Sequence, residues 1–149
     1  MANVIIFSNT NGGVSVCVPT GELPIEQVLS KDAPSGAIIV DDSTLPQGVG
    51  ASFFDAWEMN TSKDTEFFTP NDLNDSIVKV NLDKAKAMTK TRLRAERVPL
   101  FQAQDVLFQR AQESSSDTSA IIVEKQRLRD VTKLVDAETT LEGLRAIKV

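Results

Sequence analysis

The chain has 149 residues, 41% hydrophobic and 25% charged, with a net charge of −5, a composition that suits one globular domain or a small domain with a helical extension. It contains no histidine, which removes the commonest general base, the commonest metal ligand and every Ser-His or Cys-His nucleophile pair. The single cysteine, Cys17, cannot form an internal disulfide, and its place inside the apolar run Val14 to Val18 predicts a small buried hydrophobe rather than a reactive thiol.

Charge is divided unevenly. Residues 1–80 hold three lysines, no arginine and eleven acids, a net of −8, whereas residues 81–149 hold thirteen basic and ten acidic residues, a net of +3. The basic half carries nearly as many acids as bases, so it lacks the strongly positive face that phosphate backbones require; self-association or docking on an oppositely charged partner fits better. No apolar run reaches membrane-spanning length, and Met1-Ala2-Asn3-Val4 lacks the basic and apolar regions of a secretory signal, so synthesis in a cytoplasm is expected.

In chain order, Asn3 to Phe7 and Val14 to Val18 are β-branched runs flanking the turn-forming stretch Ser8 to Gly13, which predicts a β-hairpin. Pro24 opens a short helix with Ile25, Val28 and Leu29 on one face, ending before Ala33-Pro34. Ala37 to Val40 reads as a third strand, buried on both faces. Asp41 to Gly50 reads as a loop with a tight turn at Leu45-Pro46. Phe53, Phe54 and Trp57 then place three of the chain's eight aromatic residues within five positions. Such a cluster either closes a small core or presents an anchor to a partner, and the core role is favoured. Residues 60–75, which include Phe67, Phe68 and Pro70, are expected to form a loop before a last strand over Ser76 to Val80.

Helical periodicity begins at Asn81, expected to cap a helix running to Glu113. Leu93, Leu100 and Leu107 recur every seven residues, with Phe101 and Phe108 following the same step, which predicts one continuous stripe facing a partner helix. Pro99 predicts a kink or two abutting helices. After the polar break Ser114 to Thr118, a second helix carries Ile121, Ile122, Lys125 and Leu128 and returns antiparallel to the first. Thr139 and Glu142 fit a capping box for a last helix bearing Leu141, Leu144 and Ile147. The expected fold is therefore α+β: a small N-terminal mixed or antiparallel sheet domain with one short helix over residues 1–80, followed by an α-helical hairpin region over residues 81–149.

Candidate chemistry is sparse. Asn11-Gly12-Gly13 matches neither a dinucleotide nor a P-loop pattern, and its glycines precede a strand. Asp41-Asp42, even with Asp32 or Asp55, matches no calcium loop. A carboxylate-only hydrolase needs two acids at a set separation, and no pair among the 21 acids stands out. Lys86, Lys90, Arg92, Arg94 and Arg97 form the densest basic stretch, but helical spacing spreads them over more than one face and Glu96 sits among them, which points to a solvated, ion-paired surface.

Two stretches carry a family likeness. Leu45-Pro46 followed by Phe53-Phe54-Asp55-Ala56-Trp57-Glu58 resembles the "LP…F(R)xAWE" segment of small tailed-bacteriophage virion and tail-assembly proteins. Arg94, Arg97, Leu100, Asp105 and Phe108, then Lys125 to Val131 and Thr139 to Ile147, are similar to the helical half of those proteins, where an "R…R…D" helix precedes a "QxLRD" helix. Phage tail-assembly chaperones carry a similar ending. The likeness covers roughly residues 45–58 and 84–147; the chain departs from it with Phe54 where arginine is commoner, and with Ile147-Lys148-Val149 in place of a tryptophan-proline ending.

The resemblance implies a non-enzymatic phage structural or assembly protein, made in the host cytoplasm and carried in the virion. Its expected partners are capsid or tail proteins and further copies of itself, with no cofactor, metal, nucleic acid or membrane. The alternative is an early phage regulator that binds and inhibits a host protein through its acidic half. Phe53, Phe54 and Trp57, with Arg127, Arg129 and Asp130, are the candidate interaction residues. Leu128 between them should enter the hairpin core, and Asp130 should pair with an arginine of the long helix.

Overall fold

A computed structural model describes residues 2–60 and 77–149; of the loop expected over residues 60–75, residues 61–75, with Phe67, Phe68 and Pro70, lie outside the described residues, as does Ser76 of the expected last strand. The chain is α+β and divides into two compact units, Met1–Asn81 and Leu82–Val149.

In the first unit, strands β1 (Asn3–Ser8) and β2 (Val14–Cys17) form the expected hairpin, with Ile6 opposite Val16 and Ser8 opposite Val14. The Asn9 side chain organises the turn, its Oδ1 accepting from the backbone N–H groups of Asn11 at 3.1 Å and Gly13 at 2.9 Å. Helix α1 (Ile25–Asp32) follows, and strand β3 (Ile38–Asp41) returns on the other side of β1 with Val4 opposite Val40. The sheet order is β2-β1-β3 and every pairing is antiparallel.

This order corrects the reading of residues 37–40 as a strand covered on both faces. It is β1 that is central, with Val4, Ile5 and Ile6 all buried, whereas Ile38 and Ile39 on the edge strand are only half-buried. An apolar run of four fits either position; the pairing partners decide which strand receives a neighbour on each side.

Two short strands, β4 (Trp57–Met59) and β5 (Val78–Val80), make a separate antiparallel ladder with Trp57 opposite Val80. The last strand thus pairs with the aromatic segment rather than extending the first sheet. Val4, Ile6, Val14, Val40, Leu45, Trp57, Ile77 and Val78 form one apolar cluster, so the two ladders share a core. Asn81 closes the unit, its N–H donating to the Ala56 carbonyl at 2.8 Å and its side-chain amide to Glu58 at 3.1 Å.

In the second unit, helix α2 (Leu82–Glu113) is one continuous helix of 32 residues that passes through Pro99, so two abutting helices are not found. It ends in a Schellman-type turn: Ser115 adopts φ 54°, Ser116 N–H donates to Ala111 at 2.7 Å and Ser115 N–H to Gln112 at 3.1 Å. Helix α3 (Ser119–Asp130) runs back antiparallel, started by Asp117, which accepts from the N–H and hydroxyl of Ser119. Helices α4 (Lys133–Ala137) and α5 (Leu141–Ala146) then pack on the first half of α2.

The unit is therefore more than a hairpin. Ala85, Thr89 and Leu93 of α2 are buried, as are Leu128, Val135 and Leu144 from the three later helices and Val131 in the turn between α3 and α4. The small residues at 85 and 89 leave room for close approach, and the Thr89 hydroxyl is satisfied by the Ala85 carbonyl at 2.9 Å. The seven-residue stripe does not stay together: Leu93 is buried and Phe101 and Phe108 are half-buried, but Leu100 and Leu107 are exposed. Positions 100 and 101 lie about 100° apart around a helix, and α3 covers the phenylalanine side.

Candidate interaction surfaces

The aromatic segment is built on a 3-10 turn over Gly50–Ala56 that leads into β4. Phe53 is 6% exposed and Trp57 5%, so both are core residues, while Phe54 is 43% exposed. The Trp57 indole N–H donates to the Gly50 carbonyl at 3.0 Å, and Phe54 leans on the indole at a centroid distance of 4.8 Å. Gly50 permits this turn because a Cβ there would lie 3.0 Å from the Pro46 Cβ. The resembled Leu45-Pro46 and aromatic pieces are thus two parts of one packing solution, with Leu45 in the same apolar cluster as Trp57. Only Phe54 of the three aromatic candidates offers a face to a partner.

The segment Arg127 to Asp130 places Leu128 fully in the core, as its sequence position predicts. The flanking charges point different ways. Arg127 grips Glu124 through two bonds of 2.7 and 2.9 Å, which lowers the Glu124 carboxyl and raises the Arg127 guanidinium from their ordinary values. Arg129 lies 5.9 Å from the centroid of Phe101. Asp130 pairs with Lys133 at 2.7 Å and accepts from Gln126 at 2.9 Å, and those hydrogen bonds hold its carboxyl below the usual aspartate value.

The expected pairing of Asp130 with an arginine of the long helix is not formed. Arg97 of α2 instead donates to the Leu128 and Arg129 carbonyls at 3.2 Å each. The last carbonyls of a helix have no partner within it and carry its negative dipole end, so they offer acceptors to a guanidinium.

That contact belongs to a series. Lys86 donates to the Asp136 carbonyl at the end of α4, and Lys90 pairs with the Asp136 side chain. Arg92 donates to the carbonyls of Leu144 at 3.3 Å and Ile147 at 2.8 Å at the end of α5, and it also reaches Glu96 at 3.2 Å. Four cations of α2 thus act as clamps on the ends of the later helices: Arg97 on α3, Lys86 and Lys90 on α4, and Arg92 on α5. Sequence reading anticipated ion pairs here but not the carbonyls, which no residue letter records.

A further clamp is made by an acid. Glu138 accepts through Oε1 from Thr139 N–H at 2.9 Å, Thr140 N–H at 3.1 Å and the Thr140 hydroxyl at 3.0 Å, and these bonds lower its carboxyl from the ordinary value. Thr140, not Thr139, is the cap of α5, its hydroxyl accepting from Gly143 N–H at 3.0 Å. Only Thr139 fits the capping box, with Glu142 three residues on; Thr140 has Gly143 at that place and caps the helix through its hydroxyl alone, while Glu138 accepts from both threonine N–H groups.

Asp41 and Asp42 act as backbone caps. Asp41 accepts from the Ser43 N–H and hydroxyl, which lowers its carboxyl, and Asp42 accepts from Ala2 N–H at 3.2 Å. Cys17 is half-buried rather than enclosed, because the following Val18, 69% exposed, has left the sheet; it lines an open hollow of about 250 Å³ with Pro19, Leu23 and Val28. Among the described residues no cluster of three or more acids or cysteines is placed to hold a metal ion, and no helix is long and apolar enough to cross a membrane.

The apolar surface that sequence reading missed lies on the second unit. Val98, Leu100, Val106 and Leu107 of α2 and Ile122 and Val123 of α3 are exposed, at 38 to 69%. Leu100, Leu107 and Ile122 are residues that the sequence pattern assigns to the hairpin core. Comparison with protein-family models, with curated proteins and with solved structures gives no match.

Proposed function

We propose that this chain is a non-enzymatic bacteriophage structural or assembly protein that works by associating with capsid or tail components in the virion. The observation that carries the reading is the set of six exposed apolar side chains on α2 and α3, with Leu100 and Leu107 together on one side of α2. Single exposed apolar residues need no explanation, whereas grouped ones are typical of surfaces covered by a partner.

The charges support the same reading. Lys86, Lys90, Arg92 and Arg97 are engaged with carbonyls and carboxylates of their own unit, which leaves little of the basic stretch for a nucleic-acid backbone. The phage context rests on the resemblance of residues 45–58 and 84–147. Phe54 is the residue of the aromatic segment with surface to contribute, and the exposed Arg127 and Arg129 add a polar rim on α3.

Mass spectrometry of purified phage particles tests the proposal directly. A structural component is present at a fixed copy number relative to the major capsid protein. An assembly factor is absent from particles but co-purifies with capsid or tail proteins from infected cells. Co-purification with a host protein instead, and with no phage protein, replaces the proposal with the host-directed regulator.

A further inference from the structure

We infer that α2 pairs with α2 of a second copy of this chain, antiparallel, about a two-fold axis at Ala103. The evidence is a stripe on the exposed side of the helix beside the face that α3 covers: Glu96, Leu100, Ala103, Leu107 and Arg110, spaced four, three, four and three residues apart. That spacing keeps all five on one side of a helix. All are exposed, with Leu100 at 38% and Leu107 at 45%.

Reversed about Ala103, the stripe matches itself to within one residue at the leucines and in register at the charged ends. With Ala103 on the axis, Leu100 of one copy meets Leu107 of the other, and Glu96 meets Arg110, each twice. A closed pair of this kind presents one patch to itself, as two-fold interfaces require. The central alanine has no side chain beyond Cβ, so two helices can approach closely at the point where they cross. Val106, 46% exposed, lies on the flank of the stripe beside Pro99 and meets the same flank of the other copy.

Charge fixes the direction. A parallel pairing would set Glu96 against Glu96 and Arg110 against Arg110, whereas the antiparallel one sets opposite charges together at both ends. Glu96 already touches Arg92 at 3.2 Å but remains 40% exposed, and Arg110 has no ion-pair partner among the described residues. The contact covers fifteen residues of helix, about 22 Å, which is small for a stable interface and makes the dimer concentration-dependent.

The inference supplies one partner within the association reading and rests on it only in taking the exposed apolar surface to be covered. Particle content tests that reading; the experiment here tests self-pairing alone, so either can fail without the other. Sedimentation equilibrium of the full chain is run from low to high micromolar concentration, with far-ultraviolet circular dichroism to confirm folding. The chain is expected to shift from one copy to two. Glu96→Arg and Arg110→Glu, each alone, set like charges together at both ends and weaken the dimer by about tenfold or more, and the two combined restore it.

In a Cys17→Ser background, Ala103→Cys brings two thiols together across the axis and gives a disulfide-linked dimer under mild oxidation, whereas Gln109→Cys, on another side of the helix, does not. A single copy at every concentration overturns the inference. So does a dimer whose strength the charge reversals leave unchanged, or one in which the two thiol variants cross-link equally.

Discussion

Arg92 and Ile147 are joined by a hydrogen bond of 2.8 Å from the guanidinium Nη2 to the backbone carbonyl, across 55 positions of sequence. The same nitrogen reaches the Leu144 carbonyl at 3.3 Å, so one cation satisfies two carbonyls at the end of α5. Hydrogen bonds to charged donors contribute about 1.5 to 3 kcal/mol each, less where water competes. Arg92→Met keeps much of the apolar stem and should cost about 1 to 3 kcal/mol, seen as a lower denaturant midpoint with an unchanged slope. Arg92→Lys should recover only part of that, because a lone ammonium cannot hold two carbonyls and Glu96 with the same planar fork. Hydrogen exchange should quicken first in α5.

Trp57 and Phe54 should separate cleanly under substitution. Trp57→Ala empties a large site in the core of the first unit and should destabilise it by about 3 to 5 kcal/mol. Trp57→Phe retains most of the packing and loses the bond to Gly50, a loss of about 1 kcal/mol or somewhat more. Phe54→Ala, at a half-open position, should change stability by less than about 1.5 kcal/mol. If the aromatic segment serves a partner, Phe54→Ala is the variant that reduces particle incorporation while leaving the thermal melt in place.

Gly143 is held open by Glu138. A Cβ at position 143 would collide with the Glu138 carboxylate, which three hydrogen bonds hold in place. Gly143→Ala should therefore lower the melting temperature even though alanine favours helices. Adding Glu138→Ala to it should produce no further drop, because the first change has already displaced the carboxylate. A fully additive double variant would show that Glu138 can turn aside without loss.

Ser115 occupies the left-handed region at φ 54° where a helix terminates, a conformation that costs a residue with a Cβ about 1 kcal/mol. Ser115→Gly relieves that cost and partly offsets it through the freer unfolded chain, for a gain of roughly 0.5 kcal/mol. Ser115→Val should be destabilising. Both are read from chemical denaturation of the full chain.

Acid should unfold the protein, and neutral pH should leave it unaffected. Asp117, Asp130, Asp136 and Glu138 have carboxyls lowered from the ordinary value, chiefly by hydrogen bonds from Ser119, Lys133, Lys90 and the Thr139 N–H respectively. A lowered carboxyl binds fewer protons folded than unfolded, so its contribution is complete above the unfolded value and is lost as pH falls through the folded one. The melting temperature should be flat from about pH 8 to 6 and fall below about pH 5. With no histidine in the chain, no step is expected near neutrality. Asp136→Asn should reduce the acid-dependent fall.

Much of the fold was legible because it depends on local chemistry. The hairpin at Asn9 to Gly13, the extent of α2 from Leu82 to Glu113 and the start of α3 at Ser119 follow from turn residues, periodicity and a polar break. What was not legible depends on the choice among equivalent partners. Nothing in Ala37 to Val40 says whether that strand lies at the centre or the edge of its sheet, and nothing in the seven-residue step says whether Leu100 or Phe101 meets α3. The candidate site divided on the same principle. A core role was favoured for the Phe53, Phe54 and Trp57 cluster as a whole, but which of the three keeps a face at the surface was not legible, and the exposed stripe of α2 emerges only after the hairpin has used the other side. The carbonyl clamps were hidden for a different reason: their acceptors are backbone atoms, present at every residue.

Those clamps also set an order of events during synthesis. A chain is made from its N-terminus, so α2 leaves the ribosome with Lys86, Lys90, Arg92 and Arg97 before the carbonyls near Leu128, Asp136 and Ile147 have been made. The first unit can close its core as soon as β5 is available, whereas the second must wait with a long, positively charged and partly apolar helix. In that interval α2 is open to anionic surfaces and to other nascent chains. Polysomes place several such helices side by side, so copies of this protein can meet before any one of them is finished.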